Sequence, residues 1–224
     1  VIRKLSPLVY NYPDVAEDVV QPGVFGRLKV ALVTDHFTAD CLSAECRVRV
    51  MTPGNFREVI GEWKPDLIFV ESAFHGAKGS WRYELAKQPR WLRLGQPKAI
   101  YRLIEFARSR GVPTVFWNKD DGAFFDAFID VAKAADFVFT ADQECIERYR
   151  QQVPKHVPVN TLTMPYQPAF HSFTGFHFVR NEACFTGSYY RRILDERRRF
   201  LDMVFDGCEA ADLKLNVFDR NHDR

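Results

Sequence analysis

The sequence predicts a doubly wound, parallel α/β sheet followed by the opening of a second unit of the same type. Three observations predict it. Between residues 28 and 164, apolar runs of strand length recur, most of them continuous, as strands buried on both faces require. Stretches with apolar residues at i, i+3 and i+4 separate these runs, which is the alternation of strand and crossover helix that builds a parallel sheet. After an irregular stretch rich in Pro, His and Phe at residues 165–181, a strand–helix–strand rhythm starts again.

The elements come in order. Residues 1–26 are proline-spotted and weakly periodic, and read as an N-terminal arm. Residues 28–34 form a β-branched run ending in Asp35-His36, and residues 47–51 alternate strictly; both are expected strands. Phe56, Val59, Ile60 and Trp63 share one helical face, with Asn55 and Glu58 at the spacing of an N-cap and its reciprocal partner, before a stop near Pro65. Further strands are expected over residues 66–71, 112–117, 136–140 and 157–164. Helices are expected through Ile100, Leu103, Ile104 and Ala107, through Phe124, Phe128, Val131 and Ala135, and from Asp142 to about Gln151. In the second unit, residues 183–188 read as a strand entering a glycine turn, residues 190–205 as a long helix with Ile193, Leu194, Leu201 and Val204 inside, and residues 213–218 as the next strand. The expected organisation is therefore an arm (1–26), a Rossmann-like domain (27–164), a connection (165–181) and the incomplete beginning of another Rossmann-like domain (182–224).

Bulk properties narrow the function classes. The chain has 224 residues, 46% of them hydrophobic, enough for one full core and the start of another. Lys and Arg number 31 against 29 acids, so the net charge of +2 provides no general field for nucleic acid or an anionic membrane, and neither is an expected partner. The odd set Cys41, Cys46, Cys145, Cys184 and Cys208 lacks C-x-x-C spacing and reads as reduced thiols of a cytoplasmic protein. No stretch reads as a secretion signal or a membrane span, and the greasiest window, residues 123–141, is broken by Asp126, Asp130, Lys133 and Asp136.

In an open parallel sheet the ligand crevice lies beyond the carboxyl ends of the strands. The strand ends of this chain lead into polar residues: Asp35-His36, then Glu71 through His75, then Asn118-Lys119-Asp120-Asp121, then Thr140-Ala141-Asp142. Each alone has a plain structural explanation, since Asp142 suits a helix N-cap and Asp120 or Asp121 suits the opening of the next helix. Together they point to a site. The connection over residues 74–95 is long against the usual about 2–6 residues. With Trp81, Tyr83 and Trp91 it reads either as an aromatic sugar-binding lid or as a satellite helix over residues 83–94 with its tryptophans inward. Gly76 to Ser80 lacks phosphate P-loop spacing. Gly187-Ser188, between strand and helix, suits an anion, with Arg191 in the first helical turn; a tight turn with a serine cap reads equally well. Arg197 to Arg199 read as a solvated helix face.

Several segments together carry a resemblance: Trp117-Asn118-Lys119-Asp120-Asp121, then Phe125-Asp126-Ala127-Phe128, then Ala135-Asp136-Phe137-Val138-Phe139-Thr140-Ala141-Asp142, then Cys145-Ile146-Glu147-Arg148-Tyr149, and Ala183-Cys184-Phe185-Thr186-Gly187-Ser188-Tyr189-Tyr190. In order and spacing this series resembles the CgeB-like, spore-maturation-type glycosyltransferases of bacteria, over residues 28–219. The resemblance implies a GT-B fold, in which the N-terminal domain holds the acceptor and the C-terminal domain holds a nucleotide-sugar. It implies transfer of a sugar to a glycan or other cell-surface polymer in polysaccharide biosynthesis, with the nucleotide-sugar as co-substrate, no further cofactor and no metal. The family's glycine-rich and acidic donor-binding segments have no counterpart up to Arg224, so this chain would be the acceptor-side portion, associating with the rest of a C-terminal domain. For proton removal from the acceptor hydroxyl the candidates are Asp35, His36, Glu71, His75 and Asp120, with His36 and Glu71 favoured. Gly187, Ser188 and Arg191 are the donor-phosphate candidates. Two other functions fit the same architecture: a sugar-nucleotide epimerase, and a non-catalytic α/β module that binds a glycan or a partner.

Overall fold

A strand sends successive side chains to opposite faces, and in this chain both faces are apolar. Val30 and Leu32 pack on one side with Ala39, Val48, Leu67 and Phe69, while Ala31 and Val33 pack on the other with Ile68, Val70, Phe116 and Val138. The computed structural model describes residues 14–87, 98–171, 175, 181–190 and 194–219. The chain divides into two compact units, Pro13–Ser172 and a second comprising Val1–Tyr12 and Phe173–Arg224.

The first unit is a six-stranded, fully parallel sheet flanked by helices, a Rossmann-like α/β fold. Its strands are β1 (Lys29–Val33), β2 (Arg47–Val50), β3 (Leu67–Glu71), β4 (Thr114–Asn118), β5 (Phe137–Thr140) and β6 (Val159–Thr161). They lie in the order β2-β1-β3-β4-β5-β6. The chain therefore changes direction across the sheet after β2, which makes the gap between β1 and β3 the topological switch point. Helix α1 (His36–Ser43) covers the first face. On the other lie α2 (Phe56–Glu58, continuing as a π-helix over Val59–Trp63), α3 (Lys98–Ser109), α4 (Phe125–Ala134) and α5 (Ile146–Arg150). Among the described residues, no helix is long and apolar enough to cross a membrane.

In the first unit, local structure departs from the sequence expectation in five places, each for a physical reason. Helix α1, for which the sequence reading has no element, is only eight residues long, and of its apolar residues only Ala39 and Cys41 are buried. The helix at Phe56 has its four expected apolar residues buried, but Asn55 does not cap it. Its Oδ1 accepts from the Thr52 amide (2.7 Å) and its Nδ2 donates to the Val50 carbonyl (3.2 Å), so the side chain braces the turn instead. The N-terminal stretch is bound to the sheet at Asp18: its carboxylate accepts from Arg47 (2.9 and 2.6 Å) and from Trp63 Nε1 (2.8 Å), and its amide donates to the Val48 carbonyl (2.9 Å). Beyond β6, the Gln167 side chain is buried and donates to the Cys41 carbonyl (2.9 Å), which fastens residues 162–171 to the first unit.

The fifth departure concerns the long connection after β3. Trp81 is fully buried in the main core, with Nε1 donating to the Met51 carbonyl at 2.7 Å, and Leu85 is buried beside it. Gly76 makes this possible: it adopts φ +66°, and a Cβ there would stand 2.8 Å from Trp81 Cδ1. Residues 81–86 run in turns rather than in a helix, and Trp91 lies outside the described residues. Trp81 is thus a core anchor with no face to offer a sugar. Trp81→Ala is expected to lower stability by about 3–5 kcal/mol in urea unfolding; a loss below about 1 kcal/mol would show that the loop is not anchored through this ring.

The second unit contains strands β7 (Glu182–Gly187) and β8 (Lys214–Asp219), paired in parallel, and the crossover helix α6 (Asp195–Ala210). The helix begins at Asp195, later than the expected position 190, and is preceded by Leu194 at φ +57°. Phe205 packs edge-on against Phe185 at 5.3 Å, and the Tyr189 hydroxyl donates to Asp202 at 2.6 Å. Of the side chains expected inside, Leu201 is half-buried, Leu194 and Val204 are exposed, and Ile193 lies outside the described residues.

Candidate functional site

The carboxyl ends of β1, β3 and β4 bring Asp35, Glu71 and Lys119 to the switch point. The register pairs Val33 with Val70 and Glu71 with Trp117, so the residues just past β1, at the end of β3 and just past β4 share one edge. Lys119 Nζ donates to Asp35 Oδ2 and to Glu71 Oε1, both at 2.9 Å, and the Asp35 amide donates to the same Glu71 oxygen at 2.5 Å. Glu71 is fully buried, Lys119 is 16% exposed and Asp35 40% exposed, so the cluster grades from core to solvent through one ammonium.

Burial pushes the Glu71 carboxyl above the ordinary range, against the opposing pull of Lys119, the Thr38 hydroxyl and the Asp35 amide. Burial also works against charge on Lys119, but Glu71 and Asp35 together hold its pKa above the ordinary lysine value. Lys119 is therefore a fixed cation, and the carboxylates arrange themselves around it. Glu71 Oε2 and Thr34 Oγ1, cross-strand neighbours one step beyond the Val33–Val70 pair, are buried without a hydrogen-bond partner among the described residues.

Two further groups extend the rim. Ser72 Oγ donates to Asp120 Oδ2 and accepts from the Lys119 amide, both at 3.0 Å, which ties the β3 and β4 loops together. Burial raises the Asp120 carboxyl against the pull of Ser72 and Lys119. Farther along, Asn118 Nδ2 donates to Asp121 Oδ1 (2.7 Å) and to the Tyr149 hydroxyl (2.8 Å), and that hydroxyl donates to Asp121 Oδ1 (2.9 Å). Asp120 and Asp121 thus serve different partners. Asp142 caps the turn at Gln143–Cys145, accepting from the Glu144 amide at 2.9 Å.

Burial pushes the Asp121 carboxyl up to about 6 from 3.8, partly offset by Thr140 and Tyr149. A carboxyl raised in the folded state adds stability that is fully present below its unfolded pKa and lost as pH rises through its folded pKa. Asp121→Asn keeps an acceptor for Asn118 and Tyr149 and removes the ionisation. The variant is expected to be more stable than the parent by about 1–2 kcal/mol at pH 8, after discounting for partial exposure, with the difference shrinking toward pH 4. Urea unfolding at the two pH values checks this; a difference independent of pH would contradict it.

The remaining sequence candidates stand apart from the cluster. His36 is half-buried on the first turn of α1, with Nδ1 3.5 Å from Asp40 Oδ1 along the same helix. His75 is exposed on the loop that the Ala77 amide pins to the Thr34 carbonyl at 2.8 Å. Of the two favoured bases, Glu71 is inside the protein with one oxygen already shared between Lys119 and the Asp35 amide. Asp35 is the member of the cluster that reaches solvent. Lys119, Ser72, Asn118 and Tyr149 organise the rim; the sequence places the first three on the strand-end loops, but none of the four is among its candidate bases. Their signal is the run Asn118-Lys119 directly after an apolar strand whose neighbours end in acids.

In the second unit, Gly187 closes β7 opposite Asp219, and Ser188 is buried. Helix α6 starts at Asp195 with Asp195 and Glu196 in its first turn, so it does not follow Gly187-Ser188 directly as expected. The next amide, of Tyr189, donates to the Asp219 carboxylate at 3.2 Å, an anion supplied by the chain itself. A Cβ on Gly187 would lie 3.1 Å from Phe185 Cζ, so close ring packing accounts for the glycine. Arg191 lies outside the described residues.

A concavity of about 550 Å³ between Arg150 and Asn160 precedes and flanks the start of β6. In a parallel sheet this is the amino-terminal edge, opposite the rim, and it gathers none of these acids. The fold and the strand-end cluster define a Rossmann-like α/β protein with a carboxylate–lysine–carboxylate group at its switch point. No protein-family model, curated protein or solved structure matches the chain.

Proposed function

We propose that this chain is the acceptor-side portion of a nucleotide-sugar-dependent glycosyltransferase, and that Asp35 takes the proton of the acceptor hydroxyl. The sequence resemblance supplies the reaction class. The observation that carries the site is the Asp35 carboxylate: Lys119 holds Oδ2 at 2.9 Å, while Oδ1 has no hydrogen-bond partner among the described residues. That oxygen stands at the switch point, where ligands of open α/β sheets bind. In the reaction the acceptor oxygen bonds to the anomeric carbon, the bond from that carbon to the diphosphate breaks, and the hydroxyl proton passes to the carboxylate. Lys119 and Glu71 position Asp35 without touching the reacting atoms.

Incubating the protein that carries this chain with a panel of nucleotide-sugars and glycan acceptors tests the reading. The expected result is acceptor-dependent release of nucleoside diphosphate and a glycan heavier by one sugar. Conversion of the nucleotide-sugar without any acceptor would establish the epimerase instead. Absence of both products across the panel would leave a binding module and overturn the proposal.

A further inference from the structure

Helix α6 is apolar on two sides. On its inner side Phe205 packs on Phe185 of β7, Leu201 is half-buried one turn earlier, and the Tyr189 hydroxyl holds Asp202. On its outer side Phe200, Met203, Val204 and Gly207 follow the i, i+3, i+4, i+7 spacing of one helical stripe, and the three side chains are 60%, 66% and 44% exposed in that order. Sheets grow by pairing at strand edges, which leaves the outer side of a crossover helix uncovered. Gly207 adds a second observation. It stands inside the helix, where glycine is less favourable than alanine, and a Cβ there would meet nothing within 4 Å. Packing among the described residues therefore gives no reason for a glycine at this place.

We infer that this stripe is the contact surface for a second copy of the chain, with the two α6 helices antiparallel about a two-fold axis beside Met203. Charge selects this occupant and its direction. Arg197, Arg198 and Arg199 stand in the first half of α6, and Asp206 and Glu209 in its second half. Arg197 lies over the Tyr190 ring and Arg198 pairs with Asp195, whereas Arg199 and Asp206 are exposed and make no ion pair among the described residues. A parallel copy would set like charge against like, which costs affinity. The antiparallel copy sets each Arg199 near the partner's Asp206, and lays Phe200 into the space that Gly207 leaves open, as a knob fills a hole between helices. Such a contact uses the same patch twice and closes on itself, so assembly stops at two. With 16 residues, α6 is about 24 Å long, so the contact is small and the dimer dissociates on dilution. Pairing of the two copies is independent of the transferase reading.

Sedimentation equilibrium of the protein that carries this chain, from micromolar to submillimolar concentration, tests the inference. The mass is expected to rise from one protomer to two and no further. Met203→Glu places two carboxylates face to face across the axis and should leave the protein monomeric throughout the range. Arg199→Glu and Asp206→Arg each bring like charges together, and each should raise the dissociation constant by at least about fivefold. Arg199→Glu/Asp206→Arg reverses both ends of the pair and should return the constant to within about twofold of the parent's, a recovery that unspecific apolar association does not give. Because these side chains are exposed, the variants should keep the parent's circular dichroism. A monomer at every concentration, whether the stripe is bare or covered by the protein's own chain, would overturn the inference. So would a dimer that folded Met203→Glu leaves intact, or a double charge reversal that binds no more tightly than the single ones.

Discussion

Lys119→Met is expected to lower folding stability by about 3–5 kcal/mol at neutral pH, because it strands the fully buried Glu71 carboxylate without its counter-ion. The loss has a pH signature. Burial already raises the Glu71 carboxyl, and removing the lysine takes away the strongest opposing influence. In the variant, the stability tied to protonated Glu71 is present at low pH and lost as pH rises through the raised folded value, so the deficit against the parent widens as pH rises above the ordinary carboxylate range. A second substitution, Glu71→Gln, removes the charge that needs compensation while leaving an acceptor for the Asp35 amide. Lys119→Met/Glu71→Gln should therefore recover much of the loss, a coupling that a double-mutant cycle in urea reads directly. A single variant within about 1 kcal/mol of the parent would mean that the pair does not hold the switch point together.

This dependence on one lysine explains why the fold is more legible than the site. Strands such as residues 28–34 and 66–71 announce themselves because both faces are buried, and continuous apolar runs leave few alternatives. The switch point then depends on strand order, which βα rhythm constrains but does not fix: that β3 rather than β2 lies next to β1 on the site side is a fact of the pairing Val33–Val70. Burial at strand ends is what sequence conceals. Glu71 and Asp35 both read as acids after a strand, yet Glu71 lies one residue deeper, inside β3, and only the register shows that Lys119 reaches both.

The same limit acts elsewhere. Trp81 and Tyr166 are both aromatics in irregular segments, and composition cannot say that the first is fully buried while the second is 66% exposed. Gly76, at positive φ with Trp81 packed against it, is the local feature that separates them, because it turns the loop back into the core. Helix α1 is silent in the sequence because eight residues with two buried apolar contacts give no clear period. The start of α6 is displaced from its expected position because Tyr189 and Tyr190 continue an apolar pattern, whereas the acids that favour a helix N-terminus come at Asp195 and Glu196.

Asp35→Asn measures the central claim most directly. The substitution retains size and an acceptor for Lys119 and removes only the capacity to take a proton. Positioned general bases contribute roughly 10²–10⁴-fold, so the turnover number for acceptor-dependent transfer at saturating donor should fall by about that factor, with donor affinity and urea midpoint close to the parent's. Turnover within about threefold of the parent in a folded variant would contradict the assignment of Asp35 as the base.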